Sequence, residues 1–136
     1  MNIIVCLDND YGMAFGGHRQ SMDRCVRREI LKLCCNARLL MNEYSFSQFD
    51  SLCDNIIVDN GFLERACNDD FCFIETDSVP VEKTERVYAF FWNRKYPSDL
   101  KFDVEINGFI EVSNCDFEGY SHEKITLKEY IRSDCL

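Results

Sequence analysis

Asp23 is the side chain of this sequence best placed for acid–base chemistry. It heads a stretch whose apolar residues recur at helical spacing, shortly after His18 and Arg19 and just before Arg24, Arg27 and Arg28. A buried carboxylate in such a position can hold a ligand's N–H groups or exchange a proton with them. Asp is equally a favoured helix N-cap that needs no other duty, and no motif nearby completes a site around it. The expectation is a cap. No catalytic residue is assigned, and Asp23 is the candidate only if the protein is an enzyme.

The arginines carry a second message. Arg24, Arg27 and Arg28 crowd the first turns of the expected helix, where positive charge opposes the helix dipole. An anion held by backbone N–H groups and guanidinium groups would offset that cost. His18 lies beside Gly16 and Gly17 and reads as an exposed loop residue. His18, Arg19, Asp23, Arg24, Arg27 and Arg28 are therefore the candidate ligand-binding set, for a small anionic ligand.

Metal and nucleophile chemistry find little support. The nine cysteines are odd in number and irregularly spaced, and the closest pairing of interest is Cys67-x4-Cys72. The only histidines, His18 and His122, are far from that pair in sequence, so no zinc-type ligand set is expected. Most of the cysteines read as small buried apolar groups in a reducing, cytoplasmic setting. No short motif marks a Cys–His or Ser–His–Asp nucleophile.

Charge narrows the partners. Fifteen basic against 24 acidic side chains give a net charge of -9, which disfavours direct binding to a nucleic-acid backbone. The acidity is concentrated: residues 50–85 hold ten of the carboxylates and two basic groups. Asp54, Asp59, Asp69, Asp70, Glu75 and Asp77 are the candidate acidic face for a protein partner with a basic surface. The apolar run Ile3–Leu7 is too short for a membrane span or a secretory leader.

The elements that must position these groups alternate. Ile3 to Leu7 reads as a strand covered on both faces. Asp8 to Met22 reads as a loop, and a helix capped by Asp23 runs to about Cys35 with Val26, Ile30, Leu33 and Cys34 on one side. Strands follow at Arg38–Met41, Asn55–Val58 and Phe71–Ile74. Helices lie between them, one capped by Ser45 and running through about Leu52, the other over Asn60–Cys67. Asp77–Glu85 reads as a connecting loop. Arg86–Trp92, Phe109–Ser113 and Lys124–Tyr130 are further strands, the last two meeting around Gly119. The sum is one α/β domain over residues 1–136, with a mixed sheet, parallel in its first half and finished by an antiparallel hairpin. The aromatic strand around Phe90 and Trp92 is the expected edge for a homodimer.

The order of these pieces resembles dihydrofolate reductase over nearly the whole chain. Asp8-Asn-Asp-Tyr-Gly12-Met-Ala-Phe15 looks like that family's DxNGxIG loop. Asp23 falls where those enzymes keep the carboxylate that holds the pterin. Leu40-Met41-Asn42-Glu43-Tyr44-Ser45-Phe46 is similar to the segment from strand to helix, Asn55–Val58 to the strand after it, Val87–Trp92 to the strand beginning LYLT, and Phe102 to Tyr130 to the C-terminal hairpin. The departures bear on function. Asn42 and Glu43 replace a Gly and a phosphate-binding cation, and Glu75 and Asp77 stand where a Gly-Gly turn would meet the pyrophosphate. Phe15 replaces a Gly, Phe90 the Thr that supports the pterin carboxylate, and Cys53 or a neighbour the arginine that grips the folate tail. Carboxylates beside a bound phosphate cost affinity, so no cofactor is expected.

The chain also resembles short clostridial and phage proteins carrying the label ribonuclease Z. That label implies a two-metal centre, which two isolated histidines cannot build. The expectation is a non-catalytic dihydrofolate-reductase-like binding protein, of the kind a phage or mobile element uses as an inhibitor. The alternatives are a reductase or nucleotide-handling enzyme that uses the old cleft, with His18, Arg19, Asp23 and Arg24 as lining, and a hydrolase or nuclease.

Overall fold

A computed structural model describes residues 1–49 and 53–135. Its frame is a seven-stranded sheet in the order β5-β4-β6-β1-β7-β10-β9. Here β1 is Asn2–Leu7, β4 Leu39–Met41, β5 Ile56–Val58, β6 Phe71–Phe73, β7 Arg86–Phe91, β9 Phe109–Phe117 and β10 Ile125–Arg132. The pairings β5–β4, β4–β6, β6–β1 and β1–β7 are parallel, while β10 runs antiparallel to both β7 and β9. The expected mixed sheet is present.

The core lies on both faces of this sheet, which is why β1 reads as an unbroken apolar run. Ile3, Val5 and Leu7 pack on one side with Phe62, Phe102 and Phe109. Ile4 packs on the other with Val26, Ile30, Phe90 and Trp92. Helix α1 (Arg24–Leu33) covers this second face with Val26 and Ile30, as its 3.6-residue spacing requires. Replacing the fully buried Ile30 with Asp would strand a charge against β1 and remove the helix's anchor.

The structure departs from the sequence expectations in three places. Asp8–Met22 is not all loop: β2 (Gly12–Phe15) and β3 (His18–Arg19) form a hairpin, and β2 also pairs with β8 (Leu100–Lys101), making a second, three-stranded sheet. Gly16 and Gly17, at φ 59° and 77°, supply the two-residue turn between Phe15 and His18.

Second, the helix α2 is short, Glu43–Phe46, and Asn42 caps it by accepting from the Ser45 N–H at 2.8 Å. Ser45 lies inside the helix, fully buried. The expected end at about Leu52 lies outside the described residues. Helix α3 is likewise one turn, Phe62–Arg65. Third, the aromatic strand β7 sits between β1 and β10, so it is no edge; the edges are β5 and β9. Among the described residues no helix is long and apolar enough to cross a membrane.

Candidate functional site

In a parallel sheet with helices on its faces, ligands bind outside the carboxyl ends of the strands. Here those ends are β1 at Leu7, β4 at Met41 and β6 at Phe73. Beyond them polar side chains of the chain itself pair with one another, around Glu75, Asp23 and Asp8.

The first cluster closes over β6. Glu75, two residues past the strand, is buried and accepts from Arg19 Nε at 3.0 and 3.3 Å and from Gln48 Nε2 at 3.0 Å. Arg19 comes from β3. Its Nη2 donates to the Tyr44 carbonyl at 2.9 Å, its guanidinium lies 4.1 Å from the centre of the Tyr44 ring, and its backbone N–H donates to the Tyr44 hydroxyl at 2.9 Å. The exposed His18 meets the same ring edge-on. A buried carboxylate needs such pairing. The neighbouring Cys6 of β1 has its thiol pKa raised, chiefly by burial and next by the Glu75 charge.

The second cluster centres on Asp23. The residue does cap α1, accepting from the Cys25 N–H at 2.8 Å. Its carboxylate also accepts from the Tyr120 N–H and the Ser121 N–H, each at 2.9 Å, from Ser121 Oγ at 3.2 Å, and from His122 Nδ1 at 2.8 Å. Burial by itself would raise the Asp23 pKa. The hydrogen bonds from Tyr120, His122, Ser121 and Cys25 outweigh it and hold the carboxyl well below the usual range.

The ionised carboxylate fixes the His122 tautomer, because Nδ1 must carry the proton it donates. Nε2 then faces Ser21 Oγ at 3.1 Å and Tyr96 Oη at 3.2 Å, while Trp92 stacks on the ring at 4.6 Å. The loop between β9 and β10 delivers Tyr120, Ser121 and His122 to the head of α1, where Ser21, Trp92 and Tyr96 meet the ring from other segments. Gly119 permits the approach: a Cβ there would stand 2.7 Å from the His122 carbonyl oxygen and 2.8 Å from Asp23 Oδ2.

A third carboxylate, the fully buried Asp8 just past β1, follows the same pattern. It accepts from the N–H groups of Asp10, Gly12 and Tyr96 and from Gln20 Nε2, and its pKa is lowered despite burial.

The six ligand candidates therefore separate. His18 and Arg19 meet the Tyr44 ring, and Asp23 is buried at the head of α1. Arg24, Arg27 and Arg28 project from the outer face of α1 and line a groove there. The six acidic candidates also separate. Asp54, Asp69 and Asp77 are exposed, and Asp59 is half-buried and paired with Arg65 at 3.0 Å. Asp70 and Glu75 are not on the surface: Asp70 is buried and takes both arms of Arg38, at 3.0 and 2.6 Å, and Glu75 is held by Arg19. Among the described residues no three His, Cys, Asp or Glu side chains converge as a metal-ligand set.

Sequence reasoning missed the roles of His122, Ser21, Tyr96 and Trp92. The only hint was that one of two histidines stood three residues after the turn glycine Gly119.

No family model and no curated protein matches this chain. Among solved structures, the match is to the dihydrofolate-reductase-like fold. The chain is similar to a dihydrofolate reductase from Enterococcus faecalis complexed with NADP(H) and RAB-propyl, at a TM-score of 0.66 and 12% identity, over 98% of this chain and 96% of that one. At that identity the likeness is one of fold.

Proposed function

We propose that the protein works by binding and is not a reductase: a non-catalytic member of the dihydrofolate-reductase-like fold whose ancestral cleft has been built shut. One observation carries this. The Asp23 carboxylate, which the resemblance implies would hold a pterin, already accepts four hydrogen bonds from N–H groups of its own chain. Its two oxygens offer about four lone-pair sites, so nothing is left for a ligand's N–H groups. The Arg19–Glu75 pair supports the same reading, since the cation that could have met a phosphate is committed to a carboxylate.

Of the two expected partners, a small anion is favoured over a basic protein surface. Two of the six candidate acids are buried and a third is paired, whereas the α1 arginines remain on an open face. The inhibitor role carried by a phage or mobile element is consistent with binding and draws on the resemblance alone. Isothermal titration calorimetry with NADPH and with dihydrofolate is the test. The expected result is no saturable heat; a one-to-one isotherm with either compound would overturn the proposal.

A hydrolase is the second reading, favoured by a specific geometry. Ser21 Oγ, His122 Nε2, His122 Nδ1 and Asp23 Oδ2 stand in the order of a nucleophile–base–orienter relay. It ranks second because Tyr96 competes for Nε2 and because Ser21 lines neither of the cavities next to His122 and Trp92. A fluorophosphonate probe decides it: labelling of Ser21, absent in Ser21→Ala, would promote the hydrolase.

A further inference from the structure

The outer face of α1 carries a groove of about 420 Å³ whose lining is unlike the rest of this acidic protein. Arg24, Arg27, Arg28 and Lys32 rim it, and they recur at helical spacing so that all four face one side. Its floor is apolar, made by Leu31 from the helix and Phe49 from the segment after α2. Phe49 is fixed in place, because its ring packs edge-on against Phe73 of β6 at 6.2 Å.

The charges are only partly answered. Glu29 is the carboxylate at hand, 3.7 Å from Arg28 and 3.3 Å from Lys32. Arg24 lies over the Tyr120 ring at 4.4 Å, which leaves its charge in place. Three positive charges remain unneutralised by described carboxylates along one side of a chain whose net charge is -9. At its start the helix gains nothing from them: the first turn has no acidic residue, and a cation there opposes the dipole, whereas Lys32 sits in the last turn, where a cation is favourable. An apolar floor without cations would suit a neutral ligand, and cations without a floor would suit phosphate alone. Both together fit a ligand with an anionic head and an apolar body, in a cavity of small-molecule size.

We infer that the α1 groove binds a free single-chain amphipathic anion, its acidic head on Arg27 and Arg28 and its apolar chain on Leu31 and Phe49. The inference rests on the reading of the protein as a binding module and names the ligand class of the arginine set.

The experiment is displacement of the fluorescent anion 8-anilinonaphthalene-1-sulfonate by decanoate, with decyl maltoside, decyltrimethylammonium and inorganic phosphate as comparison arms. Decanoate is expected to displace the probe saturably and the other three to displace it weakly. The double variant R27Q/R28Q is expected to weaken decanoate by about tenfold or more, the loss of charge-assisted hydrogen bonds. Its melting temperature is expected to hold or rise, since it removes cations from a helix start, so lost binding cannot be blamed on unfolding. Lys32→Glu, at an exposed position, gives an independent second variant with the same direction.

Equal displacement by decyl maltoside, strong displacement by phosphate alone, no displacement by decanoate, or unchanged decanoate affinity in both variants would each overturn the inference. The arms are separable from the calorimetry. NADPH binding would end the closed-cleft reading without touching the decanoate result, and failure of decanoate would leave the closed cleft standing.

Discussion

His122 and Asp23 lie 99 residues apart in sequence and 2.8 Å apart in space, Nδ1 to Oδ2, both buried. That contact locks the C-terminal hairpin onto the start of the first helix.

Removing the histidine leaves a buried charge short of a partner and opens the stack on Trp92. His122→Ala is expected to destabilise the protein by about 2–3 kcal/mol in urea unfolding. Gly119→Ala is expected to cost about 1–3 kcal/mol, because its methyl would meet the His122 carbonyl and Asp23 Oδ2. Ser21→Ala, which leaves Tyr96 on Nε2, should change stability by only about 0.5 kcal/mol. Equal stabilities for all three variants would show that the loop is not held this way.

Acid should unfold the protein through its buried aspartates. Asp23 and Asp8 have folded pKa values below their unfolded ones. The stability they supply is therefore complete above the ordinary Asp pKa of about 4 and is lost as pH falls towards their folded values. Urea midpoints measured from pH 6 downwards should fall steeply below about pH 4, and Asp23→Asn should flatten that fall. An unchanged slope in the variant would contradict the assignment.

Arg19 and Glu75 are mutually dependent. Glu75→Gln or Arg19→Met alone leaves its partner's charge uncompensated in a largely buried site, an expected loss of about 3 kcal/mol. The double variant Arg19→Met/Glu75→Leu removes both charges and should recover much of that loss, a coupling a double-mutant cycle reads directly.

Among the described residues, Ser45 Oγ is buried with no hydrogen-bond partner. Ser45→Ala removes the orphan hydroxyl and raises helix propensity, so it should stabilise by up to about 1 kcal/mol. A loss of stability would mean the hydroxyl is satisfied in solution.

Thiol reactivity should sort by depth. Cys35, Cys67, Cys115 and Cys135 are exposed and should alkylate first in the native protein. Cys34 and Cys72 are buried with pKa values pushed up to about 12 by desolvation, so they should react only on unfolding. Mass spectrometry after brief iodoacetamide treatment counts them.

The parts of the fold that were legible in the sequence are those whose stabilisation is local in pattern. Ile3–Leu7, Arg38–Met41 and Phe71–Ile74 declare themselves because strands buried on both faces must be apolar throughout. The Asp23 cap was legible because capping involves neighbours only. The small sheet was not, since β2 gains its pairing from Leu100 and Lys101, more than eighty residues away. Phe15-Gly-Gly-His18 did hold a usable hairpin signal, a two-residue glycine turn between would-be strands. Asn42 took the cap expected of Ser45 because either residue type can do it and only packing decides which. Nothing local could reveal that Tyr120, Ser121 and His122 would converge on Asp23, or that Glu75 would turn inward to Arg19.

The dependence of Asp23 on residues 119–122 sets an order of events for a growing chain. When the first helix emerges from the ribosome, its cap carboxylate has only the Cys25 N–H to bind, and the other donors are still about a hundred residues from being made. That buried carboxylate therefore gains its full set of donors only when the final hairpin arrives and fastens the two ends of the chain together.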